Sequence, residues 1–541
     1  MPRSVFPLPG VEHGRRLLPA VIEQRAQKPV DPPWISVPVN EEDLSQGYTE
    51  ISYKQLNNYA NHAAHWLSQN LPPTSEPFQR IAYAGPKDLR YPILEVAAAK
   101  LQKVFVLPSP MITAEAQRRI LEHTNCTVYL RAASMTAFVD SVLSEAPHVQ
   151  TVTAPDLEQI MQEAEAPPYV YSKTWDEAKD DPWLVFHTSG TTGLPKPVTF
   201  THRMLASSDH AMSLPNLEPN TMQNIAEERW YTPLPSLHFA GTLMSLVMAT
   251  FFHMTLVMGP SAPPSPDVMA DTIRYGRVDG VLFPPVLLEV LCQSPKGLAA
   301  LRSLKHINYA GAPLSAQVGE QLAPYTHLAP AIGSTEAGIY FTVDRHVSTD
   351  WDYVAFQKHA GAVFEPRFDN LHELVLVRQP DCLLQQIFML YPDRDRFETN
   401  DLWVEHPVHK GLWKVVGRCD DYVTLSHGDG LHASSLEPEI EAHPQVQLAL
   451  IGGPGLSAPV LLVELVPEAN GTDRQQLLAS LQPYIDRINE RCHECVKLSL
   501  DRLIIAPQDK SFPRTLKGGA ARVKTLKLYE QEISDLFPDA V

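Results

Sequence analysis

A chain of 541 residues, 44% of them hydrophobic, is too long for one ordinary core, so two or more domains are expected. Its 62 acidic and 44 basic side chains leave a formal charge of −18, which argues against nucleic acid or an anionic membrane as the main partner. The segment Met1-Pro2-Arg3-Ser4-Val5-Phe6-Pro7 lacks the apolar core of a signal peptide, and six cysteines make no disulfide framework, so a cytoplasmic enzyme is expected.

The first ~180 residues alternate helical patterns with short apolar runs. Tyr53 to Leu71 has helix-period apolar positions, and Arg80 to Gly85 reads as a strand ending in a turn. Ile93 to Leu101 reads as helix and Val104 to Pro108 as the next strand. Such alternation predicts βαβ units and parallel sheet, hence an α/β class. The rhythm resumes from Trp230 to about Tyr340. Within it, the apolar run Leu243 to Met258 is interrupted by His253 and reads as a buried helix running into a buried strand, too short to span a bilayer. From about Glu373 short strands dominate, at Glu373–Val377 and Trp413–Gly417. A smaller α/β module then begins near Arg418, with a helix from Ser434 to about Ala442, strands at Leu448–Gly453 and Val460–Leu465, and a helix from Asp473 to about Cys492. Two domains are therefore expected, a large one over residues 1–417 and a small one over 418–541. Cys492-His493-Glu494-Cys495 has no second cysteine pair to complete a zinc tetrahedron, so structural thiols are expected there.

Just after the apolar run Trp183-Leu184-Val185-Phe186 comes Thr188-Ser189-Gly190-Thr191-Thr192-Gly193-Leu194-Pro195-Lys196. A strand delivering such a loop presents backbone N–H groups, hydroxyls and one cation to a polyphosphate. Its glycines permit left-handed backbone or close approach of a ligand. The spacing is not that of a P-loop. The loop resembles the phosphate-grasping loop of the adenylate-forming superfamily: acyl-CoA synthetases, peptide-synthetase adenylation domains and luciferases.

Five further segments match that superfamily. Gly333-Ser334-Thr335-Glu336-Ala337-Gly338 resembles its second signature; alone it also reads as a helix-capping box. The resemblance gives Thr335 to the α-phosphate and Glu336 to Mg²⁺, with Ile332 where an adenine-stacking aromatic is usual. Tyr309-Ala310-Gly311-Ala312-Pro313-Leu314 is similar to the segment beside the adenine and acyl group. Thr399-Asn400-Asp401-Leu402 looks like the Thr-Gly-Asp-Leu signature, whose aspartate holds the ribose hydroxyls; Asn400 stands where glycine is usual, and asparagine tolerates the left-handed region. Gly417-Arg418-Cys419-Asp420 resembles the hinge signature, with Arg418 reaching ribose or phosphate and Asp420 as the pivot of a mobile small domain. Phe512-Pro513-Arg514-Thr515-Leu516-Lys517-Gly518 resembles the loop of the catalytic lysine. Lys517 is the first choice, and Lys524 and Lys510 are the alternatives.

The resemblance covers roughly residues 20 to 530. It implies ATP-dependent conversion of a small carboxylic acid to an acyl-adenylate, and then transfer to a phosphopantetheine thiol of a carrier domain or to CoA. The Tyr83–Tyr91 cluster and the ending Pro513-Arg514-Thr515 look most like adenylation domains of fungal synthetase-like carboxylate reductases, which carry downstream carrier and reductase domains. A stand-alone acyl- or aryl-CoA ligase is the alternative, and a non-catalytic nucleotide- or acid-binding module is the alternative of another class. Pro233 to Gly241 resembles the substrate-gating motif, with His238 at the gate. Amino-acid-activating domains place an aspartate next to hold the α-ammonium, whereas this chain has Phe239, followed by Ala240 and Gly241. Burying a cation without a counter-charge is costly, so an aryl, keto or betaine-like acid is expected. Phe239, Phe283 and Tyr309 are candidates to line that pocket, or equally plain core.

Overall fold

The computed structural model describes residues 10–188, 195–214, 216–368, 370–380, 382–426, 429–469, 471–514 and 519–537. They divide into two compact units, one of residues 10–188, 195–362 and 376–397, the other of residues 363–375 and 398–537.

The first unit holds two sheets that are parallel throughout except for one antiparallel edge strand each. One contains β1 (Pro33–Pro38), β2 (Tyr48–Ser52), β9 (Arg229–Tyr231), β10 (Thr255–Val257), β11 (Gly280–Phe283), β12 (His306–Tyr309) and β13 (His327–Pro330) in the order β13-β12-β11-β9-β10-β1-β2. The other contains β3 (Arg80–Ala84), β4 (Val104–Val106), β5 (Val128–Arg131), β6 (Gln150–Thr153), β7 (Pro182–His187) and β8 (Pro197–Thr201) in the order β6-β5-β3-β4-β7-β8. The central strands β4, β10, β11 and β12 are buried at every position, as expected where both faces of a parallel sheet are covered.

Strand alternation sorts their side chains into separate cores. Trp230 and Leu282 of the first sheet join Ile81, Phe105 and Phe186 of the second in one cluster, together with Ile93 and Val96 of the helix Arg90–Lys100, every residue of which is buried. Their chain neighbours Tyr231 and Phe283 turn into another cluster with Ile307 and Tyr309. The helix Tyr53–Asn70 starts at a reciprocal cap, in which Ser52 Oγ accepts from the Gln55 N–H and the Gln55 carboxamide accepts from the Ser52 N–H. The run expected to pass from helix to strand does so: a helical segment with a π-type turn at Leu243–Met248 ends at Phe252, His253 adopts left-handed φ of 59°, and β10 follows. Among the described residues no helix is long and apolar enough to cross a membrane.

In the second unit β18 (Ala362–Phe368), β19 (Leu371–Val377), β20 (Arg396–Glu405) and β21 (Trp413–Arg418) form one sheet. A second sheet of β24 (Val446–Gly452), β25 (Val460–Leu465) and β26 (Leu503–Ile505) packs against the helices Ala433–Glu441 and Arg474–Asn489 through Ala449, Val463, Ile440, Leu481 and Ile485. All six cysteines are free thiols.

One buried carboxylate ties the N-terminal segment to the first unit. Asp209, with a fully buried side chain, accepts from His13 Nδ1 at 2.8 Å, Gly14 N at 2.6 Å and Arg16 Nη2 at 2.6 Å. Burial opposes its charge, but these hydrogen bonds and the Arg16 cation outweigh burial and hold its carboxyl below the ordinary range. A carboxyl lowered in the folded state stabilises above its unfolded pKa of about 4 and loses that contribution as pH falls through the folded value. Asp209→Ala is expected to cost about 3 kcal/mol at neutral pH, since it removes the acceptor shared by the half-buried Arg16 and the buried His13 and Gly14 donors, and to flatten the stability loss below about pH 4. Denaturant melts of both proteins at pH 7 and pH 3.5 check this; an equal loss at both pH values would contradict it.

Candidate active site

The chemistry-bearing segments of the first unit sit where parallel strands end. Thr188 follows β7, and its N–H donates to the Lys196 carbonyl at 3.0 Å, closing the base of the loop just before β8. The next described element is the strand β8, where a P-loop would enter a helix. Ser189, Gly190, Thr191, Thr192 and Gly193 lie outside the described residues; Lys196 is exposed. Beside this loop His187 is buried and neutral, its ring accepting from the Ser109 N–H at 3.0 Å while burial pushes its pKa down.

After β13, Gly333–Ser334 (β14) pairs antiparallel with Gly338–Ile339 (β15), so Thr335, Glu336 and Ala337 form the tip of a tight hairpin rather than a helix cap. Gly338 has φ of 73°, and a Cβ on Gly333 would lie 2.3 Å from the Gly338 carbonyl oxygen, so both positions need glycine. Ser334 Oγ accepts from the Ala337 N–H at 3.1 Å. Glu336 is half-buried and has no hydrogen bond or ion pair among the described residues, an arrangement that fits a hard cation needing an ionised oxygen ligand. Ile332 is half-buried, and its carbonyl accepts from the Tyr340 N–H. Two short strands, β16 (Thr342–Val343) and β17 (Ala355–Phe356), then pair. At the end of β12, Gly311 turns with φ of 98°, and Ala312 and Pro313 are exposed beside it.

His238 caps the helical turn Phe239–Thr242, and its carbonyl accepts from the Thr242 N–H. Gly241 packs so closely that a Cβ would lie 2.1 Å from the Pro235 carbonyl oxygen. Phe239 meets Phe200 at 4.9 Å and Phe186 edge-on at 5.9 Å between ring centroids. With Leu243, Ile339, Phe341, Ser207 and Gln386 it lines a small pocket. Ala240 is half-buried beside it. Phe283 and Tyr309 are not brought to this pocket. They stand in register at the ends of β11 and β12 and pack into the opposite core, Phe283 against Tyr231 and Tyr309 against Trp351.

In the second unit Asp401 and Arg418 face each other across β20 and β21, with Arg418 Nη1 donating to Asp401 Oδ1 at 3.2 Å. Asn400 adopts left-handed φ of 59°, the conformation that glycine would take there without strain. Its N–H donates to Glu373, and Thr399 Oγ1 accepts from the Asp401 N–H at 3.1 Å. Asp420 falls in the short 3₁₀ turn Cys419–Asp421 that follows β21. Arg522 anchors this turn: it donates to Asp421 at 3.1 Å, to both Glu437 carboxylate oxygens at 2.7 Å and to the Ile451 carbonyl at 2.6 Å. Lys517 lies outside the described residues, in a stretch flanked by a β-bridge between Arg514 and Ala520. Lys510 is paired with Glu532 and lies over the Tyr529 ring, whereas Lys524 is exposed on the helix Arg522–Leu528.

A family model for AMP-binding enzymes matches residues 22–364, and one for the AMP-binding enzyme C-terminal domain matches residues 420–540. The chain belongs to the AMP-binding enzyme family. It is 30% identical to the carboxylic acid reductase of Neurospora crassa, over 98% of this chain and 51% of that protein. It is 26% identical to the adenylate-forming reductase Nps9 of Serpula lacrymans, over 90% of this chain and 46% of that protein. The chain therefore spans about half the length of the curated relatives it matches. The ATP-bound MatB structure from Rhodopseudomonas palustris shares the fold, with a TM-score of 0.71 at 17% identity over 95% of this chain and 99% of that one. This is an adenylating, ligase-type enzyme.

Two ionisable groups near the Pro233–Gly241 segment of this AMP-binding enzyme escaped the sequence reading. Lys87, after β3, borders a second small pocket with Thr232, Ser236 and Ser245, and burial lowers its pKa to about 8. Glu95 is fully buried in the helix Arg90–Lys100, with Thr242 Oγ1 at 3.4 Å from its carboxylate. Burial raises the Glu95 pKa well above the ordinary range, so the carboxyl is neutral. The available signal was an acidic residue inside the apolar run Ile93–Ala99, which demands a partner or a proton. A carboxyl raised in the folded state removes stability as pH climbs above its unfolded pKa of about 4. Glu95→Gln is therefore expected to match the parent near pH 4 and to exceed it in Tm by a margin growing toward pH 8. Scanning calorimetry across that range checks this, and a Tm deficit widening with pH would contradict it.

Proposed function

We propose that this chain activates a carboxylic acid with ATP and passes the acyl group to the phosphopantetheine thiol of a carrier domain. The observation that carries the first half is the hairpin that holds Glu336 at its tip with no partner among the described residues. In this reading a carboxylate oxygen of the substrate attacks the α-phosphorus of ATP, the bond to the β-phosphate bridge breaks, and pyrophosphate leaves. Thr188 to Gly193 and Lys196 receive the β- and γ-phosphates, and Thr335 donates to the α-phosphate. Glu336 would hold Mg²⁺, which supplies charge neutralisation of the triphosphate when bound. Gly311, Ala312, Pro313, Ile332, Gly333 and Ser334 border the adenine, and Asp401 accepts from the ribose hydroxyls with Arg418 beside it. Lys517 neutralises charge developing between carboxylate and phosphate. The small domain, 418–541, pivots at Asp420 between this step and the second, in which the thiolate attacks the acyl carbon and AMP leaves.

Phe239 supports an acid without a primary α-ammonium. It stands among Phe186, Phe200, Leu243 and Phe341, and no carboxylate is among the described residues that line this pocket. An aryl acid fits this lining first and a betaine-like acid second, with His238 as the gate. The relatives named carboxylic acid reductase and adenylate-forming reductase, of which the chain spans about half, support an acyl group handed to a carrier thiol for reduction.

ATP–pyrophosphate exchange with benzoate, phenylpyruvate, glycine betaine and phenylalanine tests the reading. Exchange is expected with benzoate or phenylpyruvate, and Lys517→Ala is expected to lower it about 10²–10³-fold, the scale of one lost preorganised contact. Preference for phenylalanine would overturn the acid class. Exchange unchanged in Lys517→Ala would move the role to Lys524.

A further inference from the structure

Away from the gating and nucleotide segments, three metal-binding side chains of the first unit converge at the amino-terminal end of the first sheet. His327 opens β13, in register with His306 at the start of the neighbouring β12. Downstream of the Glu336 hairpin, the chain returns after β16 and brings Asp344 and His346 to the same place. His327 Nε2 lies 3.1 Å from Asp344 Oδ1, and His346 Nε2 lies 3.1 Å from Asp344 Oδ2. The two imidazole rings stack at 3.9 Å with 24° between planes, and all three ligand atoms fall within 4.8 Å of one another.

We propose that His327, Asp344 and His346 form a binding site for a first-row divalent ion, zinc above all. Zinc bonds nitrogen and carboxylate oxygen at about 2.0–2.2 Å, so donors around a tetrahedral ion stand roughly 3.3 Å apart, close to the separations found here. Two imidazoles and one carboxylate suit zinc over Mg²⁺ or Ca²⁺, which prefer oxygen ligands. His327 Nε2 also lies 3.2 Å from the Arg345 carbonyl oxygen, a contact the ion would replace, while the remaining polar contacts hold the ligands in place. Asn224 Nδ2 donates to Asp344 Oδ2 at 2.8 Å, and His327 Nδ1 lies 3.2 Å from His306 Nδ1, which orients the ring. The Asp344 side chain is 3% exposed, and no lysine or arginine pairs with it among the described residues, so a dication supplies the missing counter-charge. His346 is 61% exposed, which leaves a route for the ion and room for water to complete its coordination. The ion would clasp the two ends of the segment that carries the Glu336 hairpin, and so stiffen its base.

The test uses the full chain, stripped with a chelator and desalted, then titrated with zinc chloride against a chromophoric chelator, with metal content measured by mass spectrometry. One zinc per chain and a raised Tm are expected. His346→Ala, an exposed substitution that leaves the core intact, is expected to weaken binding at least about 100-fold, and Asn224→Ala about 10-fold, the usual effect of losing an outer-shell partner. Cys495→Ser is expected to bind like the parent. Absence of stoichiometric zinc, binding unchanged in His346→Ala, or zinc lost in Cys495→Ser would each overturn the proposal.

Discussion

Burial of the parallel strands on both faces is the constraint from which the rest of the first unit follows. Strands such as β4, β11 and β12 have no face left for water or a charged ligand. Polar chemistry is therefore pushed to the strand ends, where backbone N–H groups and side chains regain access to solvent. Thr188, Gly311 and Gly333 each follow the carboxyl end of a parallel strand, and the segment with His238 follows β9. Rigid strands then fix loops that would otherwise be free to wander.

The same burial decides which charges survive inside. Asp209 keeps its charge because three donors from the N-terminal segment converge on it. Among the described residues Glu95 has a single distant hydroxyl, that of Thr242, and burial favours its protonated form instead. Two carboxylates of one unit thus pull stability in opposite directions as pH rises, and the difference lies entirely in the number of donors within reach. Arg522 plays the corresponding part in the second unit, where Glu437, Asp421 and the Ile451 carbonyl share one guanidinium.

Much of this was legible in the sequence, because apolar periodicity reports strands and helices directly. The helix expected from Tyr53 is observed at Tyr53–Asn70, and the strand expected at Val460–Leu465 has those bounds. The helix expected from Ile93 begins earlier, at Arg90, because Arg90 is buried and paired with Asp88, a contact that apolar periodicity cannot signal. Asn400 was expected to tolerate left-handed backbone, and it adopts it. The hairpin at Gly333–Ile339 was less legible: Gly-Ser-Thr-Glu reads locally as a cap, and the pairing of β14 with β15 depends on Gly338 turning back. Phe283 and Tyr309 show the limit most plainly. Their aromatic rings made them candidates for the pocket or equally for plain core, and strand parity turns both into the core with Tyr231 and Ile307. The pairing of His327 with Asp344 and His346 was invisible for a related reason, since it needs the return of the chain after β16.

Hydrogen–deuterium exchange, with and without a non-hydrolysable ATP analogue and Mg²⁺, tests most directly the claim that strand ends of the first unit form the nucleotide site. Slowed exchange is expected in residues 311–314 and 333–338, at the carboxyl ends of β12 and β13, with none at the opposite ends near His306 and His327. Protection confined to those opposite ends, or absent from the hairpin around Glu336, would contradict the account.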